Sequence, residues 1–511
     1  MTGKGSNQSK IDYQLLARRK VTDSLLLLAD PQTSRREKEA ALRRLVRLGR
    51  YTVPVCIDHL ARRPGSLDVV IAQVFRALDD PSCLEELAPI MLDSRIPDET
   101  KAALLPVFQH YGVDMEAMPW QDLFQDAGRV ARRELLRLLD LAAADQNITQ
   151  QILDELDRMP PDGKLVYTRY LAESRSVHAV PFLAALAWNE DAEIALSAVD
   201  GLASIPALSA QRELQALAVE LPPGGRVHEA AVRALAARGE GWPVTSSSQP
   251  EVRLDQAAVS AVDGAGNRAI WLAYGEPGHS RRPWRGLYLL VHDENGISLC
   301  FGTAATRRNT FRQMVRQLRQ DTAVLVDDGE YAAALVQDAL WRNRRSGNPV
   351  PVSFHYWRRM LGLVPFKPYP YTPRFSRRER AEAQEEIGAA QTRRLLEYHE
   401  FADWFLVEPA VYDWADRIAS RGAPADTVRA LLTPSVVRWR RRLALMADFY
   451  RRAGKRERFK LALATWLHFR PGQLESLPFA VRLIGRSLEV ARGNMREGFD
   501  PRLLPEAFGG L

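Results

Sequence analysis

The chain has 511 residues, enough for about three domains, and its 46% hydrophobic and 26% charged content excludes wholesale disorder and a collagen-like chain. Lys and Arg number 70 against 63 Asp and Glu, a net charge of +7 that is mild for this length; Arg outnumbers Lys by 61 to 9, a bias that a GC-rich coding sequence explains as readily as guanidinium chemistry. Cys56, Cys83 and Cys300 are too scattered for a disulfide framework or a zinc cluster. The polar stretch Met1 to Lys10 is no signal peptide. The longest apolar run, Ala179–Trp188, is ten residues, too short to span a bilayer. The expectation is a soluble protein of a reducing cytoplasm, without membrane contact.

From about Ile11 the chain repeats. Amphipathic stretches close on small or turn-forming residues at Gly49, Asp79, Gly112, Pro206 and Gly239, at steps of 30, 33, 94 and 33 residues. The long step holds two more stretches, from Arg129 and from Gly163, so seven units of 30 to 33 residues fill the chain to Gly239. Partner helices are predicted between them at 53–63, 84–94, 115–124, 148–159, 179–188 and 210–221. Apolar residues recur at steps of three and four, as in Leu42, Leu45, Leu48 and Ala198, Leu202, Ile205, which gives each helix one buried face. A two-helix unit of this size cannot cover that face alone and must stack on its neighbours.

The first-helix prolines Pro54 and Pro181, and the segment AVPFLAALAWNEDAEIALSAVDGLASI (179–205) with Asp191 in its turn, resemble the short, bacterial-type members of the HEAT-repeat family. The unit from Val113 to Leu141 departs from that pattern in having no proline at the expected place. Over roughly residues 11–240 the resemblance implies a curved α-solenoid of about seven helical hairpins whose concave face binds another macromolecule. It implies no chemistry.

Residues 241–251, rich in Gly, Pro and Ser, are predicted to form a linker. Beyond it the pattern changes to strands. Val259–Val262 and Arg268–Tyr274 flank DGAGN (263–267), and Gly286–His292 and Ile297–Gly302 flank DENG (293–296), two hairpins whose turn residues tolerate positive φ. A helix from Thr306 to Gln320, a strand at 322–328 and a helix at 331–345 follow, so 252–363 is predicted to be a small α+β domain, an antiparallel meander with helices on one face. His292, Asp293 and Glu294 are consecutive and point in different directions, so a turn accounts for them better than a metal does. DGAGNR is followed by a strand, and so lacks the helix N-terminal amides of a phosphate loop.

On the first of those helices Arg308, Arg312, Arg316 and Arg319 are spaced by four, four and three, one sector of the surface beside the stripe Phe311, Val315 and Leu318. A solvated face whose stems cover the core edge is the favoured account. The alternative is a row that holds a phosphate backbone or an acidic protein.

A Pro-rich segment, 364–375, reads as a second linker before a basic helical domain, 376–511, with helices predicted at 377–406, 409–420, 434–453, 455–469 and 477–492. Between Pro434 and Arg470 stand eleven basic residues, Arg438, Arg440, Arg441, Arg442, Arg451, Arg452, Lys455, Arg456, Arg458, Lys460 and Arg470, opposed in that window by Asp448 and Glu457 alone. Trp439, Phe449, Tyr450 and Phe459 are interleaved, a composition suited to nucleic acid. The favoured account is that the aromatics are core, with Leu443, Met446 and Tyr450 at helical spacing, and the arginines a solvated rim or a surface docked on an acidic partner or on the solenoid itself.

The fold class is thus mainly α, with a solenoid, a small central α+β domain and a C-terminal helical region. The function expected is that of a non-enzymatic scaffold that binds a protein partner through the solenoid. The alternative is a nucleic-acid-associated protein that uses the basic C-terminal helices. An enzyme seated in the α+β domain ranks third, since the sequence carries no recognised catalytic, cofactor or metal motif. No cofactor is expected.

Overall fold

The computed structural model describes residues 13–30, 32–114, 120–237, 252–276, 283–327, 329–363, 366–418 and 423–503. The predicted linker 241–251 and the first residues of the Pro-rich segment lie outside the described residues. The chain forms two compact units, Met1–Leu138 and Leu139–Leu511.

The first unit is a run of helical hairpins: α1 (Tyr13–Ala29), α2 (Arg35–Arg47), α3 (Gly49–Arg62), α4 (Asp68–Leu78), α5 (Cys83–Leu92), α6 (Asp98–His110), the single turn α7 (Trp120–Leu123) and the start of α8 (Ala127–Ala144). Each long helix packs on the next but one, α1 on α3, α2 on α4, α3 on α5 and α4 on α6, as stacked repeats do. Leu25, Leu45, Leu60, Phe75, Leu87 and Leu104, one from each of these helices, meet in one apolar core. Each such side chain contributes about 1.5–3 kcal/mol on burial. Start signals are explicit: Ser34 caps α2 and Glu37 reaches back to complete a capping box. The period loosens where the sequence lacks its proline. There the buried Asp98 carboxylate accepts from the Gln125 and Asp126 amides, both at 2.9 Å, and Lys101 Nζ donates to the Leu123 carbonyl at 2.7 Å.

The second unit continues with α9 (Gln146–Arg158), α10 (Pro161–Ser174), α11 (Val180–Leu186), α12 (Ala192–Ser204), α13 (Leu208–Glu220) and α14 (Arg226–Ala237). Asp191 caps α12 by accepting from the Glu193 and Ile194 amides. Gly201 lets α12 press on α10, since a Cβ there would stand 2.8 Å from the Ala172 Cβ.

The central sheet comprises β1 (Arg253–Ser260), β2 (Asn267–Gly275), β3 (Trp284–His292), β4 (Gly296–Thr306) and β5 (Val324–Asp327), all antiparallel, in the order β4-β3-β2-β1-β5. The meander is as expected, and the fifth strand returns to its far edge. Three helices accompany it: α15 (Arg308–Asp321), α16 (Glu330–Ser346) and α17 (Val352–Met360). The expected covering of one face becomes a covering of both. On one side Phe311 and Val315 of α15 pack with Ala258, Ala273, Trp284 and Tyr288. On the other, Ala257, Ile270, Leu272, Leu287 and Leu289 are fully buried, with α16 and α17 laid across the strands and the Trp357 ring filling the space that a Cβ on Gly302 would need. The near-continuous apolar runs of β2 and β3 follow from that double burial.

The helix α17 also joins the sheet to the repeats, packing on α9 and α11. Asp157 accepts from the Val352 amide and the Ser353 hydroxyl, each at 2.5 Å, and Trp357 donates to Gln150 at 2.8 Å. Arg358 pairs with Glu220 at 3.1 Å, and Arg359 pairs with Glu213.

Residues 366–376 have no regular structure but are laid against the rest: the Tyr369 amide donates to the Gln337 carbonyl of α16, and the Tyr371 amide to Asp338 at 2.8 Å. The C-terminal region comprises α18 (Arg377–Glu386), a 3₁₀ segment (Ala389–Glu397), α19 (Pro409–Arg417), α20 (Ala425–Leu432), α21 (Val436–Arg452), α22 (Arg456–His468) and α23 (Pro478–Arg496). The helix predicted over 377–406 is broken at Gly388, whose amide donates to the Gln391 side chain and starts the 3₁₀ segment.

Candidate functional site

The sequence singles out two arginine-bearing helices, and the structure uses their charges differently. In α21 the block turns inward. Arg442 is 3% exposed and forms a bidentate pair with Asp293, Nε to Oδ2 at 2.9 Å and Nη2 to Oδ1 at 3.1 Å. It also donates to the carbonyls of Gly264 and Ala265, and its guanidinium lies 5.1 Å from the Trp439 ring centroid. Both hairpin turns of the sheet are therefore gripped by one side chain. Gly264 and Gly266 permit this: a Cβ on Gly264 would stand 2.0 Å from the Asp403 carbonyl, and Gly266 sits at φ +103° with its Cβ position occupied by Asp293 and Arg442. The DGAGN turn thus needs glycine for close approach as well as for positive φ.

The rest of the block is spent in the same way. Arg441 pairs with Asp338 of α16 and donates to the Tyr371 carbonyl. Arg438 pairs with Glu294 and Glu408, Arg458 with Glu400, and Lys460 with Glu386. Arg440 donates to the carbonyls of Trp466 and Phe469 and lies over the Trp466 ring. Arg451 and Arg452 both pair with Asp448, which is fully buried and also accepts from the Tyr371 hydroxyl at 2.6 Å. Burial, reinforced by that hydrogen bond to Asp448, pushes the Tyr371 phenol well above its ordinary value. The interleaved Trp439, Phe449, Tyr450 and Phe459 are buried. Only Lys455, Arg456 and Arg470 of the eleven are exposed with no ion-pair partner among the described residues.

In α15 the row stays outside. Arg308 is half-buried, paired with Asp255 at 3.2 Å and stacked 4.8 Å over Trp284. Arg312, Arg316 and Arg319 are exposed and have no ion-pair partner among the described residues, while Phe311 and Val315 beside them enter the core. The two groups, α15 and α21, do not converge on a common pocket.

The turn residues His292, Asp293 and Glu294 have structural partners. The His292 Nδ1 accepts from the amides of Glu294 and Asn295 and its Nε2 meets the Ala265 carbonyl, Asp293 holds Arg442, and Glu294 holds Arg438.

A third basic surface was missed by sequence reasoning. Residues 13–63 hold twelve Lys and Arg against five Asp and Glu, whereas 64–126 hold three against twelve. Within the first unit α1–α3 are therefore basic and α4–α7 acidic. On α2, Arg36, Arg43, Arg44 and Arg47 are exposed without an acidic partner among the described residues. A windowed charge count would have found this; averaging it into the remainder of the chain hid it.

Among the described residues no helix is long and apolar enough to cross a membrane. Comparison of the chain with known family models, with curated proteins and with solved structures finds no match.

Proposed function

We propose that this chain is a non-enzymatic binding protein whose helical-hairpin repeats recognise an acidic protein surface, with α1–α3 as the contact. The observation that carries this reading is the charge segregation of the first unit: twelve basic residues against five over 13–63, with Arg36, Arg43, Arg44 and Arg47 of α2 exposed and without an acidic partner among the described residues, while Arg35 pairs with Glu39. Arginine suits such a surface, because its planar donor fork meets carboxylates in pairs. The resemblance of the hairpins to HEAT repeats supports the same reading, as does a stack of helices that presents a long lateral face. Part of the charge has a local explanation, since Arg44 and Arg47 lie in the last turn of α2, where they favour its C-terminal dipole. Arg36 and Arg43 have no such explanation.

The experiment is affinity capture by the full chain, with and without nuclease, using Arg36→Glu/Arg43→Glu/Arg47→Glu beside the parent protein. Protein partners that survive nuclease and are lost from the α2 variant are the expected result. Capture indifferent to the α2 reversal would overturn the assignment of this face.

The second reading is a nucleic-acid-associated protein, favoured by the exposed Arg312, Arg316 and Arg319 of α15 and no longer by the α21 block, whose charges are occupied within the chain. Its sign would be capture abolished by nuclease and by reversal of the α15 row.

A further inference from the structure

We propose that the cleft between α23 and the 3₁₀ segment 389–397 binds a small organic phosphate. The cleft is an open cavity of about 600 Å³ lined by Arg393, Arg482 and Arg486, with Ser476, Pro478 and Val481 also on its wall. That volume lies within the range of small-molecule sites.

The charge pattern is what singles it out. In α21 five of the six arginines pair with a carboxylate. Here Arg482 and Arg486 stand four residues apart on one helix, a spacing at which like charges face each other and repel. Arg482 and Arg393 have no ion-pair partner among the described residues. Arg486 is held rigidly, donating to the carbonyls of Leu396 at 2.7 Å, Phe401 and Ala402. Those acceptors are neutral, so they fix its geometry without cancelling its charge. Burial, with Arg482 adding to it, pulls Arg486 below the ordinary guanidinium value, the direction that a bound anion would reverse.

Glu489 lines the cleft and Asp403 also acts on Arg486, neither entering an ion pair among the described residues, so three arginines stand against two carboxylates. An anionic phosphoryl group answers that excess, and its oxygens suit guanidinium donors. The apolar wall of Pro478 and Val481 is placed to take an organic body attached to it.

The test is isothermal titration of the full chain with inorganic phosphate, pyrophosphate and ADP as separate probes. Saturable binding is expected, tightest for ADP, which alone carries a ring for the apolar wall. Arg482→Glu and Arg393→Glu, made separately so that misfolding of one does not silence the test, are each expected to weaken it by about tenfold or more. Arg158→Glu on α9, an exposed residue outside the cleft, should leave it unchanged. The proposal is overturned if none of the three probes saturates at millimolar concentration, or if binding survives both cleft substitutions. ADP binding no tighter than pyrophosphate would overturn the organic half of it.

Discussion

The helix α15 carries four arginines and α21 six, and the two use them in opposite ways. In α15 the apolar residues form one stripe, Phe311 and Val315 at its centre, and the arginines stand beside it in solvent. In α21 every residue from Arg442 to Tyr450 is buried. A helix apolar all round lies inside the protein, and charges on such a helix must find partners or cost more than folding can bear. The lesson is that local charge density says little about availability. The pattern of the apolar residues around the charges decides whether they face solvent or a neighbour.

The sharpest way to test that contrast is to remove a charge from each helix. Arg442→Ala leaves Asp293 buried and unpaired and both hairpin turns without their common donor. A loss of about 3–5 kcal/mol is expected, read by chemical denaturation followed through the fluorescence of the chain's eleven tryptophans. Replacing both partners, Arg442→Met with Asp293→Leu, should recover part of that loss, because no charge is left stranded. If Arg442→Ala were as mild as a surface substitution, the clamp would not hold the C-terminal helices to the sheet.

The buried half of the comparison extends to α17. There His355 is buried beside Arg358 and Arg359 and stacks on Trp188 at 5.6 Å. Burial, with the two guanidinium groups adding to it, pulls its pKa from 6.5 down to about 3. The native state therefore keeps this imidazole neutral where the unfolded chain takes up a proton. Its contribution to stability is present above pH 6.5 and is lost as pH falls toward 3, by ~1.4 kcal/mol per pH unit. Asp157 and Glu213 act in the opposite sense, since burial raises both: native protonation favours folding as pH falls between their unfolded and folded values. His355→Phe should accordingly remove the acid-side loss and leave the carboxylate contribution, a difference that urea titrations across pH 4–7 would read. An unchanged slope would mean that His355 is protonated in the native state.

Smaller again is the effect of the turn glycine that lets Arg442 reach its partners. Gly264→Ala places a Cβ 2.0 Å from the Asp403 carbonyl, so the turn must withdraw from the C-terminal region. About 1–3 kcal/mol is the usual cost of such overpacking. The same substitution at Gly347, where nothing stands within 4 Å, meets no neighbour, though its φ of +75° still disfavours a side chain. Comparing the two in thermal melts separates close approach from backbone conformation.

How much of this was legible in the sequence depends on the range of the signal. Most of the helices described over 32–114 and 120–237 were readable because a 3.6-residue period is local, although residues 115–119 of the helix predicted over 115–124 lie outside the described residues; so were the two β-turns, since DGAGN and DENG announce their backbone conformation. The return of β5 to the β1 edge and the placing of α15 opposite α16 and α17 depend on contacts that no local pattern encodes. The fate of the α21 block was hidden for the same reason. Counting within residues 434–470 finds Asp448 and Glu457 alone, whereas Asp293 lies 149 residues from Arg442, and Asp338 lies 103 from Arg441. One local sign was available: LALMADFY (443–450) leaves no polar face for a solvated helix.

The smallest expected effect on stability falls on α15, and it carries the other side of the contrast. Arg312→Ala, Arg316→Ala and Arg319→Ala should each change stability by no more than about 0.5 kcal/mol, since each side chain is exposed and breaks no ion pair among the described residues. Arg308→Ala should cost more than any of them, because it gives up the Asp255 pair and the Trp284 stack. If the row serves nucleic acid, the triple substitution to Glu should lower the dependence of log K on log salt by about 2 to 3, the share of three phosphate contacts, while leaving the melting temperature close to that of the parent. A triple variant that melts early would place these arginines with those of α21, and the distinction between the two helices would fail.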